Sequence, residues 1–176
     1  SSLADPSNLA TVPCGTSINF TTASSSRNES TSGTLSGCRT YTDYTYQMSI
    51  GAAPSATATA TLTYSGTATK GLDYEVTTNG NFASTSNVLT FNSGSTSAQS
   101  FTVRIYDDAN VESAETIILD FSVNNGGGDA TAGTTTPTLT ISLGDNDIAP
   151  SGASSGTYSI GSLACAVSSS PFDARQ

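Results

Sequence analysis

The chain has no histidine and no tryptophan, and its five lysine and arginine residues face fourteen aspartates and glutamates. Each scarcity removes a class of function. Without histidine there is no Ser-His-Asp triad, and a cysteine nucleophile lacks its imidazole partner. With aromatics at only 7%, the stacking platforms of a sugar-cleaving cleft are thin, although a carboxylate pair could in principle serve one. Five basic residues cannot lay down the positive footprint that phosphates require, so no nucleic acid is expected as a partner. No apolar run approaches the roughly eighteen residues of a membrane helix. The net charge of −9 also sets the chain against an anionic bilayer, so no membrane insertion is expected. Gly126–Gly128 is followed by Asp129, not by the Lys-Ser/Thr of a phosphate-binding loop. The expectation is a protein that is not an enzyme.

Cysteine is also sparse: Cys14, Cys38 and Cys165, an odd number with no CxxC pair. With three cysteines and no histidine, the usual four ligands of a structural zinc site are not expected. Three readings stay open: a disulfide tying one end of the chain to its body, small buried apolar side chains, or a bridge between molecules.

What is present is serine and threonine, about a third of the chain, with apolar residues at 35% and charged residues at 11%. Thr favours strands, while Ser and Gly favour turns. Period-two alternation recurs at 17–23, 41–50, 56–64, 88–91, 101–106, 116–123 and 138–143. It puts Tyr44, Tyr46, Met48 and Ile50 on one face, then Phe101, Val103 and Ile105, then Ile117, Leu119, Phe121 and Val123. Nothing comparable has helical periodicity. Gly, Asn and Pro break the pattern at 51–54, 79–80, 92–94 and 124–129. The fold class predicted is all-β, an immunoglobulin-like sandwich of about seven antiparallel strands. Residues 24–37 read as a polar connection and 148–156 as a linker. Residues 1–16 form an N-terminal flank, 17–147 the sandwich, and 148–176 a linker with a possible extra or exchanged strand at 157–167. Ser1 at the start, with no signal peptide, leads to the expectation of a processed product or an excised piece of a longer chain.

The acids are not scattered. Asp107 and Asp108 follow one strand, Glu112 and Glu115 precede the next, Asp145 and Asp147 follow the last, and Asp73 lies in the loop after the Thr-rich strand. No Lys or Arg lies within 107–115 or 145–147 to neutralise them. Loops of a sandwich gather at its two ends. Carboxylates gathered there repel unless a cation joins them. Calcium, with six to eight oxygen ligands and tolerance of irregular loops, suits them better than magnesium.

Three segments, in order, resemble one family. Gly66-Thr67-Ala68-Thr69-Lys70-Gly71-Leu72-Asp73-Tyr74 resembles the GTAT-x-G-x-DY signature of Calx-beta domains. Ile105-Tyr106-Asp107-Asp108 with Glu112 and Glu115 resembles their I-x-D-D…E-x-x-E element, and Thr140–Asp147 resembles their closing T-h-T-I-x-D-[ND]-D, where h is hydrophobic. The likeness covers about residues 40–147. It implies a seven-stranded sandwich and a Ca2+ cofactor at one end. The implied ligands are Asp73, Asp107, Asp108, Glu112, Glu115, Asp145 and Asp147, with Glu29 filling the role of a glutamate near the start of the domain. Asn146 stands where many calcium-binding members carry aspartate; it lowers the charge and keeps an oxygen.

The Gly37-Cys38-Arg39 stretch and the Ser/Thr-rich style resemble modules of secreted bacterial surface proteins. The expected function is a non-catalytic, calcium-binding structural or adhesive module at the cell surface or outside the cell. Its partners would be calcium and neighbouring domains or subunits of the same protein. The alternative is a self-assembling subunit of an extracellular filament, joined through its flanking strands or through disulfides of Cys14 and Cys165.

Overall fold

A computed structural model describes residues 16–36 and 39–147. The three cysteines, the linker and the 157–167 segment lie outside the described residues, as does any strand exchange or disulfide involving them. The described residues form strands β1 (Ser17–Phe20), β2 (Ser24–Asn28), β3 (Thr34–Ser36), β4 (Arg39–Ile50), β5 (Ala58–Gly66), β6 (Tyr74–Thr77), β7 (Val88–Phe91), β8 (Gln99–Asp107), β9 (Glu115–Asn124), β10 (Thr131–Ala132) and β11 (Leu139–Gly144). One sheet runs β10-β1-β4-β8-β6, with β3 also paired to β4; the other runs β2-β11-β9-β5-β7.

All seven segments with period-two alternation are strands, and the alternation is what buries them. Tyr46, Met48, Ile50, Phe101, Val103 and Ile105 from the first sheet face Ala58, Ala60, Leu62, Ile117, Leu119, Leu139 and Ile141 from the second. Phe20 joins the layers, meeting Phe101 edge-on at 6.0 Å in its own sheet and Phe121 at 5.3 Å in the other. Each fully buried Leu, Ile or Phe contributes about 1.5–3 kcal/mol of transfer free energy.

Four strands go beyond the expectation. Residues 24–37, read as a polar connection, contain β2 and β3. The chain leaves the first sheet after Phe20, runs along the second as β2, and returns to it as β3. The sequence SSSRN has no apolar face to announce a strand. It is held instead by backbone pairing with β11, from Thr140↔Ser24 to Gly144↔Asn28. That pairing is parallel, as is β1 with β10, so the sandwich is not wholly antiparallel. β6 is four residues long, and Thr77 is buried alongside Tyr74 and Val76, so strict alternation breaks within it and periodicity does not mark it.

The parallel β2–β11 pair determines where the acids meet. Both strands end at the same edge of the sheet, so Glu29 and Asp145, the next residues of each, emerge side by side. The register carries the rest there too: Leu143 pairs with Glu115, Thr40 with Asp107, and Gly66 with Ile117. Gly66 turns the chain out of β5 with φ +111; a Cβ there would lie 2.2 Å from the Thr116 carbonyl oxygen. That oxygen accepts the Thr67 and Ala68 N–H groups, each at 3.0 Å. Only glycine permits so close an approach, which launches the loop that ends at Asp73.

Candidate metal centre

Each acid is set by the strand end that carries it. Glu29 donates its backbone N–H to the Gly144 carbonyl at 3.0 Å, extending the β2–β11 ladder by one rung. Asp145 then folds its own loop: Oδ1 accepts the Asp147 N–H at 2.7 Å, and Oδ2 accepts the Glu112 N–H at 2.6 Å. Short polar side chains that cap their own backbone in this way fix a turn. In the loop after β5, Asp73 Oδ2 accepts the Thr69 N–H, and the Asp73 carbonyl accepts the Tyr106 N–H at 2.9 Å.

The eight expected residues collect at one end, but they do not behave alike. Glu29, Asp145 and Asp147 form one triplet, and Asp73, Glu112 and Glu115 another; in each, one carboxylate oxygen per residue lies within 4.8 Å of the others. Asp107 and Asp108 belong to neither triplet. Asp107, buried, accepts a 2.6 Å hydrogen bond from Asn146 Nδ2 on Oδ1, with the Thr40 hydroxyl 3.3 Å from Oδ2. Asp108 accepts from the Asn110 backbone N–H at 2.7 Å and side-chain amide at 3.1 Å.

The triplets contain the unbalanced atoms. Glu29 Oε2, Asp147 Oδ2 and Glu115 Oε2 are buried and have no hydrogen-bond partner. Glu29 is only 7% exposed. Its pKa is pushed up to about 8, first by burial and then by the charges of Asp108, Asp145, Glu112 and Asp107. Burial is also the main cause that raises Asp147, helped by Asp145, Asp107 and Asp108. Glu112 rises through burial and then Asp73, Asp108, Asp145 and Asp147. Glu115 rises through burial, then Asp73 and Glu112. All these neighbouring charges push the same way, because every one of them is a carboxylate.

The described basic residues are committed elsewhere. Lys70 pairs with Glu75. Arg104 grips Asp43 through Nε at 2.8 Å and Nη2 at 2.9 Å. Arg27 donates to Tyr46 Oη at 3.2 Å and lies over the Tyr44 ring. Arg39 reaches the rim of the acidic end without touching its carboxylates. It donates to the carbonyls of Leu72 and of Gly71, the latter at 3.0 Å, and stacks 3.6 Å from the centre of the Tyr106 ring.

Arg39 therefore ties the residues just before Asp73 to the residue just before Asp107, a role the sequence did not disclose. Arg39→Ala is expected to cost about 1–2 kcal/mol of stability through the lost bonds and stacking. Arg39→Lys should recover only part of this, since an ammonium lacks the planar fork. Urea unfolding of the three proteins measures both.

The donor set offers only oxygen, and much of it is anionic. That suits a hard cation of high coordination number. The partnerless buried oxygens of Glu29, Asp147 and Glu115 are what such a cation would satisfy, so the residues fit calcium.

No family model matches the chain, and no curated protein matches it. Solved structures do. CBD12 from CALX1.2 superposes with a TM-score of 0.53 at 17% identity, covering 74% of this chain and 44% of that one. The apo form of the Calx CBD1 domain superposes at 0.52 and 17%, covering 74% of this chain and 96% of that one. The calcium-binding domain CBD12 of CALX1.1 gives 0.52 and 17%, covering 74% of this chain and 44% of that one. The chain thus spans less than half of the two CBD12 structures and nearly all of the CBD1 domain. Likeness at this identity speaks for architecture, and by that architecture the protein has a Calx-beta-like β-sandwich fold.

Proposed function

We propose that this chain is a non-catalytic, calcium-binding module that stiffens or presents a larger extracellular or cell-surface protein. The observation that carries the reading is the set of buried carboxylate oxygens without partners, Glu29 Oε2 and Asp147 Oδ2 in one triplet and Glu115 Oε2 in the other. Calcium, when bound, supplies positive charge and takes oxygen ligands from several loops at once. The residues do the rest. Glu29 and Asp145–Asp147 present oxygens from the ends of the paired strands β2 and β11. Asp73 presents them from the loop after β5, Glu112 from the loop before β9, and Glu115 from the first position of β9. Held together, these four segments fasten the ends of β2, β11, β5 and β9 in the second sheet to the loops that lead to and from the first, which is how such a site would stiffen the domain. The likeness to a structure named as a calcium-binding domain supports the same reading.

Two further features support a non-catalytic, extracellular role. The acids converge on one another in two triplets. The surface is rich in Ser and Thr and poor in Lys, and extracellular calcium modules work with dissociation constants of about 10⁻⁴–10⁻³ M. Calorimetric titration of chelator-stripped protein tests the binding. Saturable uptake is expected, and its loss in Glu29→Gln/Glu115→Gln would tie it to both triplets. Absence of uptake up to about 10 mM calcium, well above those dissociation constants, would sink the proposal.

A further inference from the structure

The two triplets and the pair Asp107–Asn146 solve the same electrostatic problem in different ways. In the triplets, Glu29 Oε2, Asp147 Oδ2 and Glu115 Oε2 are left without donors. Between the sheets, Asp107 Oδ1 accepts a 2.6 Å hydrogen bond from Asn146 Nδ2, across 39 residues of sequence. Asp107 ends β8 in the first sheet, and Asn146 sits between Asp145 and Asp147 just beyond β11 in the second. A carboxylate facing an amide accepts only from the nitrogen, so the orientation of the Asn146 amide follows from its partner. Asp145 cannot take this place, because an ionised carboxylate has no hydrogen to donate; its two oxygens instead accept the Asp147 and Glu112 N–H groups.

An aspartate at position 146 would present an acceptor to an acceptor. The loop could then close onto Asp107 only with a cation between them. The amide closes the gap with no ion and no charge.

We infer that Asn146 determines the calcium stoichiometry of this domain: its amide stands in for a cation between Asp107 at the end of β8 and the loop after β11, leaving only the two triplets to take ions. The inference rests on the calcium reading above for the words about ions, and on the hydrogen bond alone for the stand-in. It gives the domain a definite character. The end of β8 is bridged to the residue beyond β11 by the chain itself, and calcium acts on the two triplets.

The test compares Asn146→Asp with Asn146→Ala in chelator and in calcium. Alanine removes the donor and adds no charge; aspartate removes it and adds repulsion. In chelator, Asn146→Asp is expected to unfold several degrees below Asn146→Ala, and both below the parent. In calcium, Asn146→Asp should bind one more ion per chain than the parent by calorimetry, whereas Asn146→Ala should keep the parent's number. If Asn146→Asp does not fold in chelator, its refolding on addition of calcium supports the stand-in equally. An Asn146→Asp midpoint in chelator equal to or above that of Asn146→Ala would overturn the stand-in. An unchanged ion count in Asn146→Asp would overturn the control of stoichiometry. Should the parent itself take up no calcium, the calcium reading falls, and the comparison in chelator still decides whether the amide replaces a charge.

Discussion

Millimolar calcium is expected to raise the thermal midpoint of this protein, and Glu29→Gln is expected to erase a large part of the rise while stabilising the ion-free form. A ligand that binds only the folded state adds about 2.7 kcal/mol at a hundredfold excess over Kd, reached at about 10 mM calcium for a Kd of about 10⁻⁴ M, which for a domain of this size corresponds to about 5–10 °C. The effect of the substitution has the less familiar sign. Glu29 is 7% exposed, has one oxygen with no donor, and sits among Asp108, Asp145, Glu112 and Asp107. A buried polar group without a partner costs about 1–3 kcal/mol, more when charged. At neutral pH the folded side chain stays neutral only by keeping a proton the unfolded chain releases; an amide of the same shape is neutral without one and brings two N–H donors toward acceptors. Scanning calorimetry of both proteins, in chelator and in calcium, gives the four midpoints. A Glu29→Gln protein less stable than the parent in chelator, with an unaltered calcium response, would contradict this role for the residue.

The ion-free protein should also lose stability as pH rises from about 5 to 8, against the usual behaviour of a carboxylate held by salt bridges. Glu29 has a folded pKa of about 8 and an ordinary value of 4.5. Between these the folded chain retains a proton that the unfolded chain has released, so unfolding releases it. Stability is therefore highest below the ordinary value and falls through the window, by at most about 1.4 kcal/mol per pH unit for one proton, before levelling above about 8. Glu112, Glu115 and Asp147 are raised as well and add slope of the same sign. Asp129 is lowered to about 2 by the Ser55 backbone N–H and by the hydroxyls of Ser55 and Thr16. It acts between there and its ordinary 3.8, outside the window. Saturating calcium favours the ionised carboxylates, so the slope should flatten, and calcium affinity should itself rise with pH. Urea unfolding at several pH values, with chelator and with calcium, reads both slopes. A chelated protein that gains stability from pH 5 to 8 would be evidence against the raised carboxylates.

The alternation of Ala58, Ala60 and Leu62 against threonine, or of Leu139, Ile141 and Leu143 against Thr and Ser, is enough to read the sandwich, because one face of each strand is buried and the other is not. β2 is invisible to that pattern because Ser24–Asn28 contributes backbone hydrogen bonds and no apolar face. The same long-range pairing explains Glu29. Its neighbours in sequence are polar and carry no motif, and only the parallel alignment of β2 with β11 seats it beside Asp145 and Asp147. The grouping of acids at strand ends is legible, since strands that end together deliver their loops together. Their division into two triplets and an amide-bound centre is not. It depends on where Asn146 and Asn110 point their donors, which no spacing encodes. Arg39 is hidden for a similar reason: it acts on the carbonyls of Gly71 and Leu72 and on the Tyr106 ring, partners that carry no charge to betray the pairing.

A crystal structure of the calcium-soaked protein, with the ions identified by their anomalous signal, tests the central claim most directly. Calcium is expected about 2.3–2.6 Å from carboxylate oxygens of Glu29, Asp145 and Asp147, and again from those of Asp73, Glu112 and Glu115, with the Asn146–Asp107 hydrogen bond intact. Calcium bound elsewhere, or both triplets filled only by water at saturating calcium, would contradict the claim.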